Sequence, residues 1–306
     1  MDDVFLGSRA VRDGLLTPYQ LRTGFVALYP GVYMADHTWA SLRVRTVGAW
    51  KWSRERGVVA GLAAAALRGS DWVDHDVPIE LISPNTNPPT GIITRNEKLR
   101  AQEIGRSCGV LATTAERTAF DLGRWYGRAE ALGRLDALKR ATAFTTTKVE
   151  ALAAHHPGAR GLRQLRGLLP LVDAGAASLR ESRLRLLLLD DGLPRPSTQI
   201  AVGADGHLIG ILDMGWEQYK VGVEYDRDQH RSDRRQYVRD LGRLRRLQET
   251  GWIIIRVIAE DGDADVITRV RTALHRRGYR DTEASATTRR KTAHTYTSGR
   301  GKGDAA

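Results

Sequence analysis

The segment from Ser178 to Ile258 constrains this chain most, because it sets acidic side chains at the ends of successive helices and strands. Val221-Gly222-Val223-Glu224-Tyr225-Asp226 alternates, so a strand there turns Val221, Val223 and Tyr225 to one face and Glu224 and Asp226 to the other. Two acids on one strand face rarely serve packing. Asp213 follows Gly210-Ile211-Leu212 at the end of another extended run, where an unpaired carboxylate is costly to bury and a cation removes the cost. Magnesium commonly takes one or two carboxylates and leaves its other positions to water and phosphate oxygens, and Asp213 with Glu224 supplies such a pair. An ion of this kind acidifies a bound water and stabilises charge developing on a phosphodiester. His230, just beyond Asp226, is placed to shuttle a proton or touch phosphate.

Around these residues the pattern is regular. Leu179 to Leu189 reads as a leucine-rich helix stopped by Gly192, with Glu181 in its first turn. Ser178-Leu179-Arg180-Glu181 is itself a capping box, so Glu181 has a backbone role open to it beside a chemical one. Gln199–Val202 and Leu208–Met214 are extended runs joined by Asp205-Gly206, a hairpin signal. The helix after His230 turns Tyr237, Leu241, Leu244 and Leu247 inward, with Arg234, Arg235, Arg239, Arg243 and Arg246 around the remainder. Those arginines either track a nucleic-acid backbone or form a solvated face balanced by Asp233, Asp240 and Glu249. Gly251 ends the helix, and Trp252 to Ile258 reads as a buried strand in the sheet interior.

At 306 residues the chain has room for two lobes and a tail. Short helices are expected at Ser8–Asp13 and from Thr17-Pro18-Tyr19-Gln20, then a hairpin of Phe25–Leu28 and Val32–Met34 about Tyr29-Pro30-Gly31. Two short helices and a hairpin make a winged-helix pattern, which would read DNA with a helix in the major groove and contact backbone through residues such as Arg22. The same pattern also suits a small cap packed on the next segment. Trp39–Arg56 and Val58–Leu67 read as core helices; Val77–Ile82, Gly91–Thr94 and Gly109–Thr113 read as strands; Thr114 caps a helix. Thr147-Lys148-Val149-Glu150 is read as a capping box, His155-His156 as exposed helix-end residues without an acidic neighbour, and Pro170–Ala177 as the boundary between lobes. Beyond about Tyr279 the residues are Thr, Ser, Gly, Arg and Lys with little to bury, so disorder is expected, with Arg289-Arg290-Lys291 adding phosphate affinity.

Composition narrows the setting. The 47 Lys and Arg against 36 Asp and Glu give a net charge of +11, which favours a phosphate partner and is equally what an Arg-biased, GC-rich genome produces. Cys108 is the single cysteine, so neither a disulfide nor a Cys-based zinc site can form within the chain, and a reducing, cytoplasmic setting is expected. The start at Met1-Asp2-Asp3 lacks a secretory pattern, and the longest apolar run, Val58–Leu67, is about half a membrane span, so no membrane partner is expected.

The set Glu181-Ser182-Arg183-Leu184-Arg185-Leu186, Gly192-Leu193-Pro194 with Gln199, Leu212-Asp213, Val223-Glu224-Tyr225-Asp226 with His230, Arg239-Asp240 and Gly251-Trp252 resembles the Vsr-like (very-short-patch-repair-like) branch of the PD-(D/E)xK nuclease superfamily, over about Ser178 to Ala259. Upstream, Tyr29-Pro30-Gly31-Val32-Tyr33 and Thr113 to Leu122 look like the AbiEi-type antitoxin architecture often joined to such domains in actinobacteria. The resemblance implies an α/β fold: an α+β region over 1–175 with a winged helix in about 1–57, a restriction-endonuclease-like αβββαβ sandwich over 176–280, and a basic tail over 281–306. It also implies a site of Glu181, Asp213, Glu224, Asp226 and His230, with Mg2+ or Mn2+ on Asp213 and Glu224. Two positions depart from the pattern: Asp226 stands where the superfamily usually has Lys, a Lys that the Vsr-like branch commonly lacks, and Arg227 where Gly is usual. Two functions follow as expectations. One is a metal-dependent endonuclease acting on DNA. The other is a non-catalytic DNA-binding regulator of the type IV antitoxin kind, with a toxin partner and a degenerate nuclease fold.

Overall fold

The structure, a computed structural model, describes residues 4–85, 87–226 and 234–281, the side chains of 234–237 excepted. The chain divides into two compact units, Met1–Ala174 and Gly175–Ala306, each mixing helices with a sheet. The expectations for the tail, for Arg227 and for His230 fall outside the described residues.

The first unit opens with β1 (Val4–Leu6), α1 (Gly7–Arg12), α2 (Pro18–Gly24), β2 (Phe25–Tyr29) and β3 (Val32–Ala35), whose strands form an antiparallel sheet in the order β1-β3-β2. The chain enters α2 through the expected capping box: Thr17 Oγ1 accepts the Gln20 N–H at 3.2 Å, Gln20 Oε1 accepts the Thr17 N–H at 2.9 Å, and Pro18 takes the first helical position. After α3 (Leu42–Trp52) comes β4 (Val58–Ala60) and then α4 (Gly61–Leu67). β5 (Ile79–Ile82), β6 (Ile92–Arg95), β7 (Ile104–Ser107) and β8 (Val110–Thr113) complete a five-stranded sheet in the order β6-β5-β4-β8-β7. Four helices follow: α5 (Ala115–Trp125), α6 (Arg128–Ala141), α7 (Thr146–Ala154) and α8 (Leu162–Leu168). The core joins the sheet, through Val59, Ile79, Leu81 and Ala112, to Ala49 and Trp50 of α3 and Ala63 and Ala64 of α4.

Three local readings are corrected here. Val58–Leu67 is not one helix: Val58–Ala60 is a strand, because Gly61 at φ +57 breaks the run and an all-apolar stretch carries no period to tell strand from helix. The cap of α7 is Thr145, whose hydroxyl accepts the Lys148 N–H at 3.3 Å, and not Thr147. His156 is not an isolated helix-end residue, since its Nε2 meets Glu103 Oε1 at 2.7 Å, a partner 53 positions away in sequence.

Gly61 is required for a second reason. A Cβ there would stand 1.6 Å from Glu80 Oε2, on a buried carboxylate that accepts from Tyr126 Oη at 2.7 Å and from Arg95 Nε at 3.0 Å. Gly61→Ala is therefore expected to destabilise the first unit by about 2–3 kcal/mol, summing a left-handed non-glycine residue and a displaced buried acceptor. Urea unfolding measures it, and an unchanged midpoint would contradict this packing.

A buried ionic network holds α5 to the β6–β7 segment. Arg117, with no exposed surface, donates Nε to both oxygens of Asp121 at 3.0 Å, Nη1 to Glu103 at 2.5 Å and Nη2 to Glu97 at 2.8 Å. Arg124 adds a bond to Asp121 at 2.9 Å and lies over the Phe120 ring. Burial pushes the Asp121 carboxyl up to about 7, against the pull of Arg117 and Arg124. Burial also acts on Glu103, but there His156 and Arg117 outweigh it and hold the group below its usual 4.5. Between the unfolded value of about 3.9 and the folded value, the native state keeps a proton that the unfolded chain has released. Stability from Asp121 is thus full below about pH 4 and is lost as pH rises towards about 7, while that from Glu103 is lost only as pH falls below its folded value. Relative to Asp121→Asn, the parent is expected to lose stability between about pH 4 and about pH 7 in urea titrations, and parallel curves would refute this.

The second unit runs α9 (Leu179–Asp190), β9 (Ser197–Ala204), β10 (His207–Trp216), β11 (Val221–Tyr225), α10 (Arg234–Glu249), β12 (Ile253–Val257) and α11 (Asp263–Arg276). Asp205 and Gly206, at φ 51 and 77, make the tight turn of the β9–β10 hairpin. β11 and β12 are parallel, so the chain must cross over between them, and α10 supplies the crossover. The sheet order is β12-β11-β10-β9, which corrects the expected interior place of β12: it is an edge strand among the described residues. Helices rather than strands cover it, since α10 and α11 both pack on it. One core sets Leu184, Leu188, Val270 and Leu274 of α9 and α11 against Met214, Val221, Val223 and Ile255. A second, smaller core sets Leu247 of α10 and Trp252 against Ile200, Val202 and Leu212. No helix among the described residues is long and apolar enough to cross a membrane.

Candidate functional site

The acids of the second unit are placed by strand register. Met214 pairs with Val223 and Gly215 with Gly222 in the antiparallel β10–β11 ladder, so Asp213 and Glu224 each lie one residue beyond the last pair of that ladder. The alternation expected for β11 is present: Val221 and Val223 lie in the core shared with α9 and α11, with Tyr225 packed against it, which turns Glu224 to the face beneath α10. Asp213 Oδ2 accepts the Tyr225 backbone N–H at 2.7 Å, a bond that ties the end of β11 to β10; β10 continues to Trp216, which corrects the expected place of Asp213 at a strand end.

Arg243 completes this cluster. Its Nη1 and Nη2 reach Glu224 Oε1 at 2.6 Å and Oε2 at 2.9 Å, a bidentate fork on a carboxylate only 7% exposed. Hydrogen bonding to Glu224 raises the guanidinium pKa, with desolvation opposing it and the charges of Glu224, Asp240 and Asp213 adding to it. Arg243 is therefore turned inward, which corrects its place on an outer basic face. Arg239 is exposed, as that face requires, while Val238 and Leu241 are exposed beside it. The side chains of Arg234 and Arg235 lie outside the described residues. In the first unit Arg22 is exposed near the end of α2.

Asp226 and Glu181 are held differently. Asp226 donates its N–H to Val257 O at 2.8 Å, and its carboxylate pairs with Arg256. Arg256 escaped the sequence reading, although a lone cation inside Trp252–Ile258 was its signal. Glu181 accepts the Ala177 N–H at 2.7 Å and the Ser178 hydroxyl at 3.0 Å, while Ser178 Oγ accepts the Glu181 N–H at 3.1 Å. Its carboxylate thus caps the N-terminus of α9, a helix that packs on the sheet face opposite Glu224. The structure brings Asp213, Glu224 and Arg243 together, sets Asp226 beside Arg256, and places Glu181 at a helix end.

Two carboxylates with hard oxygen donors fit magnesium or manganese in kind, and both oxygens of Glu224 are at present bonded to Arg243. Among the described residues no group of three or more His, Cys, Asp and Glu is arranged to hold a metal ion.

No family model matches the chain, and no solved structure matches it. Its sequence is 31% identical over 240 residues to uncharacterized proteins from two strains of Mycobacterium tuberculosis, CDC 1551 / Oshkosh and ATCC 25618 / H37Rv, an overlap of 78% of this chain and 87% of theirs. At that identity and coverage the chain belongs to the same family as these mycobacterial proteins.

Proposed function

We propose that this protein binds DNA and that its second unit is a Vsr-like, restriction-endonuclease-like domain that hydrolyses phosphodiester bonds with a divalent cation. The observation that carries the reading is that Asp213 and Glu224 each lie one residue beyond the last β10–β11 pair and both act on Arg243 of a basic helix. Asp213 and Glu224 would hold Mg2+ or Mn2+, which when bound supplies Lewis-acid charge and an acidified water. The bond from Tyr225 N–H fixes the Asp213 carboxylate, and Arg243 holds the Glu224 carboxylate until an ion displaces it. Asp226 pairs with Arg256, and Arg239 offers a cation to the DNA backbone. The first unit, with its β1-β3-β2 sheet and two short helices, would dock on DNA as a winged helix through Arg22. A reducing, cytoplasmic setting goes with this reading.

One observation favours a second reading. The Arg243 fork occupies both Glu224 oxygens, as expected of a nuclease fold retained in a non-catalytic regulator with a toxin partner. Incubation of the full chain with plasmid and with branched or mismatched duplexes separates the two. Nicking in Mg2+ or Mn2+ that stops in EDTA supports the enzyme. Tight operator binding that survives EDTA, with no nicking on any substrate, supports the regulator.

A further inference from the structure

A cavity of about 260 Å3 opens at the carboxyl ends of the parallel strands β11 and β12, on the sheet face away from Glu224. Tyr225 and Val257 form its floor, Arg180, Arg183 and Leu184 of α9 one wall, and Asp263 and Val266 of α11 the other. The outer end of parallel strands is where open α/β sheets commonly receive ligands, because loops and helix ends converge there. The Arg180 guanidinium lies over the Tyr225 ring, 5.4 Å from its centre, and has no ion-pair partner among the described residues, so an entering base would take its place on the ring as Arg180 turns to the phosphate. Asp261, also at the rim, is engaged by the Ile258 N–H at 3.0 Å and by Arg269 at 2.6 Å. Asp263 and Arg183 are both exposed and only loosely paired, at 3.7 Å. The uncommitted charge of the cavity is therefore positive, beside an aromatic ring and apolar walls.

We propose that this cavity takes one unpaired nucleotide, its base against Tyr225 and its phosphate at Arg180 and Arg183. The size admits a single base and part of its sugar and excludes a duplex, falling just below the range of about 300–1,000 Å3 usual for small-molecule sites. An aromatic ring beside arginines is the common solution for a flipped or single-stranded base, since every base has a π-face and every nucleotide a phosphate. The inference rests on the nucleic-acid reading above and names the strand state that the second unit selects. It also connects the two faces of the sheet: the Tyr225 side chain lines the cavity while its N–H holds Asp213.

The test is fluorescence anisotropy of the full chain with labelled hexathymidylate in EDTA, so that cleavage plays no part. Tyr225→Leu should weaken binding about 5- to 150-fold, the range of one base–aromatic stack, and Tyr225→Phe should restore it to within about twofold. Arg180→Ala, at an exposed position that leaves the fold alone, should weaken it about fivefold or more, whereas Arg276→Ala, an exposed arginine elsewhere on the unit, should not. A paired duplex of the same length should be insensitive to Tyr225. Thymidine monophosphate, run as competitor, separates the sources: strong competition assigns the cavity to free nucleotides, weak competition to a strand. Unchanged binding in both Tyr225→Leu and Arg180→Ala, or an equal loss in Arg276→Ala, overturns the proposal. Nicking in Mg2+ is scored separately, so hexamer binding without nicking would sink the nuclease reading and leave the cavity standing.

Discussion

On the proposed nuclease function, Asp213→Asn is expected to reduce metal-dependent phosphodiester cleavage by about 10²- to 10³-fold, the usual loss when one fixed electrostatic group is removed from a reaction centre. The substitution is close to isosteric, and the amide oxygen of Asn can still accept the Tyr225 N–H that Asp213 Oδ2 accepts at 2.7 Å. The two strands should stay tied while the charge that attracts a cation is lost. Thermal midpoint and cleavage are therefore expected to separate, with the midpoint little changed. Glu224→Gln is a poorer probe, because it also leaves the half-buried Arg243 fork facing a neutral partner. Equal cleavage by Asp213→Asn and the parent, measured on the same nicked plasmid, would show that any hydrolysis arises elsewhere.

Arg117→Met should cost the first unit about 3–5 kcal/mol, because it strands three carboxylates together. Arg117 is fully buried and serves Asp121, Glu103 and Glu97 at once, and Arg124 reaches only two of these. In a unit of this size such a loss lowers the melting midpoint by roughly 6–20 °C. The loss should shrink below about pH 7, where Asp121 carries a proton and needs no cation. Arg117→Lys should fall between the two, since an ammonium keeps the charge and cannot reproduce bonds to three separate partners in fixed directions. Calorimetric scans at two pH values measure both effects. A midpoint within about 2 °C of the parent at high pH would mean that the network is dispensable.

These two residues differ in how far the sequence disclosed them. Asp213 and Glu224 could be picked out because strand alternation and a hairpin turn are local: Asp205-Gly206 fixes the β9–β10 hairpin, and the period of two sorts Val221, Val223 and Tyr225 from Glu224. The Thr17 cap was readable for the same reason, since its bonds span three residues. What escaped was set at long range. Arg243 looks like any arginine of a basic helix until the crossover of α10 lays it on Glu224, 19 positions away. His156 looks like a helix end until Glu103 arrives across 53. The strand at Val58–Ala60 was hidden by uniform burial, which erases the period that separates strand from helix, and Gly61 was the only local sign of the break. Arg117 and Asp121 sit at helical i,i+4 spacing, so their pairing was legible, but their total burial was not.

The measurement that bears most directly on the proposed function is calorimetric titration of Mg2+ and Mn2+ into the full chain, the Asp213→Asn variant and the Arg243→Ala variant. If Asp213 and Glu224 form a cation site for which Arg243 competes, the parent binds an ion and Asp213→Asn does not. Arg243→Ala then binds about tenfold tighter or better, the worth of a charge-assisted hydrogen bond no longer displaced. Identical titrations of all three proteins, or no ion bound even after Arg243 is removed, would contradict the assignment of this carboxylate pair to a divalent cation.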